Sequence, residues 1–307
     1  MENKGKWLVF GGAVCWSLNA PLVKYVTLDP LMVCGMRALI AGVILCPFIF
    51  KAKMNISKWL ALYIVSFVGL SVCIVVALRN APSAIAVGMQ YSGIIWIFII
   101  SLLAGKTTVS LRNTLPVTIV ISGVTVFMLS GRNGTDITTL GMIMSVLEGM
   151  CFAGITISSK RAAGNNPLGM TALGNIATAV FVFALFPPEL ADITHMGTTN
   201  TIVVIILSTV QLGLGYAIYN VGMKYIAPQK AAMLCLWEMI LGPTWVAVFL
   251  GEYPSFIVLA GFVLILTGMI TDAALPEKFP AERQGGINII RRRAKTQANM
   301  LINKINR

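Results

Sequence analysis

Apolar residues run along this chain in blocks of about twenty, parted by short polar breaks. Seven blocks, 7–23, 59–78, 80–105, 113–131, 162–188, 196–223 and 253–271, contain no charged residue. Three more surround one charge each, at Arg37, Glu148 and Glu238. A bilayer core about 30 Å thick takes ~20 consecutive apolar residues per helix. The pattern therefore predicts ten membrane helices, over 7–26, 30–50, 59–79, 83–104, 113–130, 139–160, 167–186, 201–225, 230–250 and 254–272. Asp29-Pro30, Ala81-Pro82, Asn165-Asn166-Pro167 and Ala227-Pro228 mark four of the breaks. Strands of a membrane barrel would alternate apolar and polar positions over ~10 residues, and these blocks do not. The expected fold class is an all-α integral membrane protein.

The blocks repeat. Moving the sequence back by 136 positions lays Cys151 on Cys15, Phe152 on Trp16 and Lys160 on Lys24. A shift of 137 lays Asn166-Pro167-Leu168 on Asp29-Pro30-Leu31. A shift of 146 lays Ala227-Pro228 on Ala81-Pro82, Trp237 on Tyr91 and Gly251 on Gly105. The polar, glycine-containing link 131–138 divides the copies, so the expected units are 7–131, 139–272 and a tail, 273–307. Five spans is an odd number, so the second unit would enter the membrane from the opposite side. That is an inverted-topology repeat, an arrangement of secondary transporters whose substrate sites lie near the midplane between the repeats.

Composition agrees: 57% of residues are hydrophobic and 11% charged, with a mean hydropathy of +0.84, where a soluble domain carries about 25% charged residues. The net charge of +12 is distributed unevenly. If the N-terminus is cytoplasmic, every Lys and Arg lies in an inner segment except Lys24, Arg37, Arg79 and Arg132, which places both termini inside. This bias accounts for the charge without nucleic-acid binding. The tail carries Ile290, Ala294, Leu301 and Ile305 at near-helical spacing among Arg291, Arg292, Arg293, Lys295 and Lys304. It reads either as a basic amphipathic helix on an anionic leaflet or as a solvated tail that enforces orientation. The six cysteines all fall inside spans, with spacing that suits neither zinc nor a disulfide framework; they read as small apolar packers. No cleavable leader is expected, because the first run flows straight into a helical hairpin. A sequon, Asn133-Gly134-Thr135, and the single histidine, His195, fall in loops.

An ionisable residue at mid-span costs at least ~2.5–3.5 kcal/mol on insertion scales, so it faces a cavity or a partner. Glu148 stands in the second copy where the first has Gly12, and Glu238 where the first has Ser92. For each glutamate two readings stand open: a proton- or substrate-binding group, or one half of a structural ion pair or hydrogen bond. Ile155 and Ser159 share the face of Glu148, while Ser145, Gly149 and Ala153 form a separate small stripe that lets another helix approach. Arg37 reads as structural, with binding of a substrate carboxylate as the sharper alternative. Trp16, Asn19, Gln90, Tyr91, Gln211, Tyr216, Asn220 and Trp237 are candidates to line a cavity, since aromatic faces bind ammonium groups and amides orient polar solutes. Each aromatic has helix packing as its plainer reading. Lys24 and Lys160, at helix ends, read as interfacial anchors.

With these features the chain resembles the drug/metabolite transporter superfamily, specifically EamA-type permeases. The resemblance covers about 7–272 and rests on Gly11-Gly12-Ala13-Val14-Cys15-Trp16, Arg37, Leu78-Arg79-Asn80-Ala81-Pro82 and Leu250-Gly251-Glu252. The last is similar to a Gly-Glu signature of the family; the first copy departs from it, with Lys106 in place of the acid. The resemblance implies a central cavity between the halves, alternating access, and substrates among amino acids, nucleotide sugars, phosphorylated sugars and amines, often moved as exporters.

The expectation is thus a secondary transporter of a small polar metabolite, amino acid or organic amine, with proton coupling through Glu148 and Glu238. It is expected in the bacterial plasma membrane, with lipid, a small molecule and protons as its partners and no cofactor. The alternatives are a channel or lipid scramblase, or a carrier of anionic metabolites such as sugar phosphates. An enzyme is not expected, as the chain has no HExxH, GxSxG or Walker pattern.

Overall fold

A computed structural model describes residues 2–52, 56–105, 107–130, 137–162, 166–187, 196–222, 225–226 and 228–274, with backbone alone at 160–162, 220, 228–233 and 273. The sequon, Lys106, Arg132, His195 and residues 275–307 of the tail lie outside this set, as do the side chains of Lys160 and Asn220.

Among the described residues every element is helical. The order is α1 (Glu2–Ser17), α2 (Asn19–Tyr25), α3 (Pro30–Leu45) with a 3-10 turn (Cys46–Phe50), α4 (Lys58–Asn80), α5 (Ser83–Gln90), α6 (Gly93–Leu103), α7 (Leu111–Ser130), α8 (Thr139–Ala162), α9 (Pro167–Leu185), α10 (Gly197–Ile206), a π-helical stretch (Leu207–Leu214), α11 (Gly215–Gly222), α12 (Pro228–Leu250) and α13 (Phe256–Ala274). Among the described residues, seven segments are long and apolar enough to cross a membrane: Pro30–Phe50, Lys58–Asn80, Ser83–Leu103, Leu111–Ser130, Thr139–Ser159, Pro167–Leu185 and Gly197–Tyr219. Leu234–Leu250 and Phe256–Asp272 are shorter apolar helices, and α1 and α2 share the first apolar block. Several outward-facing hydroxyls are paired within their own helices. Thr118, Ser122, Thr125, Thr267 and Thr271 each donate to the carbonyl four residues back.

The repeat is visible in local structure. Asp29 and Asn166, superposed by the 137-residue shift, both cap helices that begin with proline. Asp29 Oδ1 accepts from Leu31 N (2.8 Å) and Met32 N (3.3 Å), and Asn166 Oδ1 accepts from Gly169 N (2.9 Å). Pro82 and Pro228 stand at the starts of α5 and α12. Gly105 and Gly251 both take the left-handed conformation (φ +62° and +69°) just after their helices end, where a side chain would be strained.

Packing shows the same relation. The half containing α1–α7 meets the half containing α8–α13 through α4 on α8, α1 on α11, α1 and α2 on α12, and α5 and α6 on α8. It also does so through α3 on α9, α7 on α13 and α5 on α12. Exchanging the halves carries each of these contacts onto another or onto itself, as a pseudo-two-fold axis requires. Small residues bring backbones together at these crossings. A Cβ on Gly12 would lie 3.1 Å from Gly215 O, and one on Gly123 would lie 2.7 Å from Gly261 O.

Three spans expected as single helices are interrupted. The first breaks at Leu18, because Pro21 has no N–H to give the Ser17 carbonyl and its ring crowds that turn. The fourth tightens at Tyr91 and Ser92, where Tyr91 N, Ser92 N, Ile94 N and Ile95 N all reach back only three residues. The eighth widens into the π-helical stretch Leu207–Leu214. Asn19, Gln90, Tyr91 and Gln211 sit on or beside these irregularities.

Candidate functional site

The broken first span, α4, α5 and α12 enclose a small cavity. Trp16, Ser17, Asn19, Ala20, Ile74, Val87, Gln90, Glu238 and Gly242 line it. Its volume is ≈ 10 Å³, about enough to admit one water. Four residues singled out from the sequence, Trp16, Asn19, Gln90 and Glu238, therefore meet at one point from both halves.

Three more stand directly behind that wall. Arg37, 2% exposed, donates from Nη1 to Asn19 Oδ1 (2.5 Å) and from Nη2 to Ser71 O (3.3 Å). Both ends of its guanidinium are thus held by neutral oxygens from α2 and α4, and the side chain positions Asn19 rather than opening onto the cavity. Tyr91 donates its hydroxyl to Glu238 Oε2 (2.9 Å), with Cys235 O 3.2 Å away as a second acceptor. The break at Tyr91 and Ser92 turns this ring toward α12. Tyr216 packs against Trp16 at 4.8 Å between centroids and against Phe67 at 6.0 Å.

Glu148 is 0% exposed, and neither carboxyl oxygen has a hydrogen-bond partner among the described residues. It does not line the cavity. Its helix α8 is held against the α5–α6 break by Gly149, whose Cα faces Ser92 Oγ and Met89 O, and by Phe152, 5.6 Å from Tyr91 between ring centroids. Ser145 and Ala153, the other members of the small stripe, are fully buried. Gln211 is buried in the π-helical stretch with its Oε1 unpartnered. Trp237 does not join this group: it is 44% exposed and meets Phe10 edge-on at 5.8 Å. One position along α12 from Glu238 is about 100° of rotation, enough to turn the indole away from the cavity.

Several residues of the site carried no signal in the sequence. Ser17 accepts from Trp245 Nε1 (3.0 Å) across the two halves, and Gly242 leaves room in the wall. Lys24, expected as an interfacial anchor, is engaged within the protein. Its Nζ meets Glu252 Oε2 at 2.5 Å and donates to Ala81 O at 3.1 Å. The repeat registers align residues within a copy with their counterparts in the other. They do not say which residues meet between copies, so these pairs could not be read.

The sequence model of the EamA-like transporter family matches residues 3–129 and again 139–271. No curated protein matches the chain. A solved crystal structure superposes on it with a TM-score of 0.60 at 17% identity, covering 91% of this chain and 100% of the other; at that identity it shows the fold alone. Apolar helices able to cross a bilayer, charges gathered at their centre and two copies of the family's unit over nearly the whole described length have one common explanation: the chain belongs to the EamA-like transporter family, within the drug/metabolite transporter superfamily, and is an integral, multi-pass membrane transporter.

Proposed function

We propose that this protein is a secondary active transporter of a small polar solute, an amino acid or organic amine, working by alternating access and coupled to protons through Glu148 and Glu238. In this reading the chain crosses the membrane ten times as two oppositely oriented halves of five. Helix α12, with 23 residues, and α13, with 19, are long enough for about 34 and 28 Å at 1.5 Å per residue. The first apolar block crosses as α1 and α2 together. The bias of Lys and Arg sets both termini in the cytoplasm, the membrane is a bacterial plasma membrane, and net flux is outward.

One observation carries the reading. A fully buried carboxyl group, without a hydrogen-bond partner among the described residues, lies on the helix packed against Tyr91, and Tyr91 holds a second carboxyl that faces a cavity at the meeting of the two halves. An unpaired ion in apolar surroundings is costly by several kcal/mol, so Glu148 in this conformation carries a proton or awaits a cation. Glu238, oriented by Tyr91, and Trp16 in the cavity wall offer an ammonium group a counter-charge and an aromatic face. A carrier of anions is disfavoured, because the guanidinium of Arg37 is engaged by Asn19 and Ser71. A channel is disfavoured by the near-closed cavity.

Proteoliposomes test this. Uptake of labelled amino acids or amines is expected to saturate and to rise with an imposed pH gradient. Glu148→Gln is expected to fold and to lose the response to the gradient. Transport by that variant with full dependence on the gradient would remove Glu148 from the coupling step. Ohmic current or lipid flipping without saturable uptake would replace the transporter reading with a channel or a scramblase.

A further inference from the structure

On one face the cavity is covered by a lid of polar contacts. Helix α2 carries Ala20 at the cavity and Lys24 one turn farther out; α5 carries Val87 at the cavity and Ser83 one turn farther out. Glu252 follows the left-handed Gly251 that ends α12, the helix whose Glu238 and Gly242 complete the cavity wall. At this level the three elements are tied together. Lys24 Nζ pairs with Glu252 Oε2 (2.5 Å) and donates to Ala81 O (3.1 Å), while Glu252 Oε1 accepts from Ser83 N (2.7 Å). Lys24 and Ser83 belong to the first half and Glu252 to the second. The cluster is partly shielded, with side-chain exposures of 16% for Lys24 and 31% for Glu252. Arg79 fixes the end of α2 from behind by donating to Val26 O and to Leu28 O, the latter at 2.7 Å.

The repeat relates this lid to the opposite face. The 136-residue shift carries Lys24 to Lys160, and the 146-residue shift carries Glu252 to Lys106. In sequence, the counterparts of the ion pair are thus two lysines, which cannot pair with each other.

We propose that Lys24 and Glu252 are the gate of the face on which they lie. Their pair, with the Ser83 amide and the Ala81 carbonyl, holds α2, α5 and α12 together over the cavity and must break whenever the cavity opens to that face. With no such pair between its sequence counterparts, this lock biases the empty protein toward closure on the Lys24 face. Both residues are positioning residues in this role: they set which side the cavity faces and do not touch solute. The inference rests on the alternating-access reading above.

The test reads accessibility from each side and needs no solute. Ser17→Cys places a near-isosteric thiol in the cavity wall, and the parent chain gives the background from its six cysteines. A membrane-impermeant thiol reagent is applied to right-side-out and to inverted vesicles. Removing the lock with Glu252→Ala is expected to speed modification from the Lys24 face about tenfold. That is the lower end for a charge-assisted hydrogen bond, discounted for partial exposure. Modification from the other face is expected to stay level or fall. Glu252→Gln keeps an acceptor for the Ser83 amide but loses the charge, and is expected to lie between. The swap Lys24→Glu/Glu252→Lys is expected to return the rate to within about threefold of the parent. A rate unchanged by Glu252→Ala, or raised equally from both faces as general loosening would do, overturns the gate. So does a swap that leaves the rate where the single variant puts it. Absence of solute flux with a one-sided shift in accessibility would count against the transport reading and leave the gate standing.

Discussion

Gly149 ties the helix that carries Glu148 to the break at Tyr91 and Ser92, so an alanine there tests whether that close approach is real. A Cβ at this position would lie 2.8 Å from Met89 O and 3.4 Å from Gly93 N, and closer still to Ser92 Oγ. The serine hydroxyl can rotate away, but the Met89 carbonyl belongs to the backbone and cannot. Forcing a methyl against it costs ~1–3 kcal/mol by the measure of overpacked cores, set against up to about 1 kcal/mol gained from the helix propensity of alanine. Gly242 supplies the control. It also lies within a helix, and its nearest neighbours, Ser17 O and Val87 Cγ2, would be 3.7 Å from an added Cβ, an ordinary contact. Gly149→Ala is therefore expected to lose about 1–2 kcal/mol and Gly242→Ala to gain about 0.5–1, a gap of about 1.5–3 kcal/mol. For a chain of this size that is roughly 5 °C between midpoints in a thermal melt of the purified protein. Adding Ser92→Gly to Gly149→Ala removes the clash with the hydroxyl but not the one with the carbonyl, so it is expected to restore half the loss or less. Equal melting of the two alanine variants, or full rescue by Ser92→Gly, would refute the backbone contact between α8 and the α5–α6 break.

Phe127, fully buried between Gly88 and Gly261, is expected to cost ~3–5 kcal/mol as Phe127→Ala, read as a melting point lower by about 6–10 °C. Asn166 caps α9 and donates from Nδ2 to Phe48 O (2.8 Å) and Ala52 O (2.9 Å). Asn166→Ala is expected to lose ~2 kcal/mol and Asn166→Asp, which keeps the cap and loses the amide donors, about half of that in the same melt. Tyr91→Phe removes the hydroxyl from Glu238 Oε2 while leaving the ring against Phe152. It is expected to melt within about 2 °C of the parent and to transport roughly tenfold more slowly; normal transport would show that Tyr91 does not position Glu238.

Much of the helix layout was legible because a bilayer imposes length and apolarity on each span, and because proline and glycine punctuate both copies alike. Asp29-Pro30 and Asn166-Pro167 do the same capping work, and Gly105 and Gly251 adopt the same conformation, as the shifts imply. The interruptions were less legible. Pro21 announces the break at Leu18, but no residue in Leu207–Leu214 announces a π-helical stretch, which depends on the neighbours of that segment. Candidate side chains were found where a polar group had no reason to be in lipid: Asn19, Arg37, Gln90, Glu148 and Glu238. Their relations were not. Arg37 finds an asparagine and a carbonyl rather than a carboxylate, and Lys24 finds Glu252, 228 residues away in sequence. Trp237, matched to Tyr91 by the repeat, turns outward because helix phase, not register, decides which side chain reaches the cavity.

The central claim is that the two buried glutamates carry the protons that drive solute across. Proteoliposomes loaded with a pH-sensitive dye and given an amino acid or amine that the protein transports test it most directly. The account predicts proton movement in fixed proportion to solute for the parent protein, and solute movement without protons, or no movement, for Glu148→Gln/Glu238→Gln. Proton movement of parental size in that double variant would contradict it.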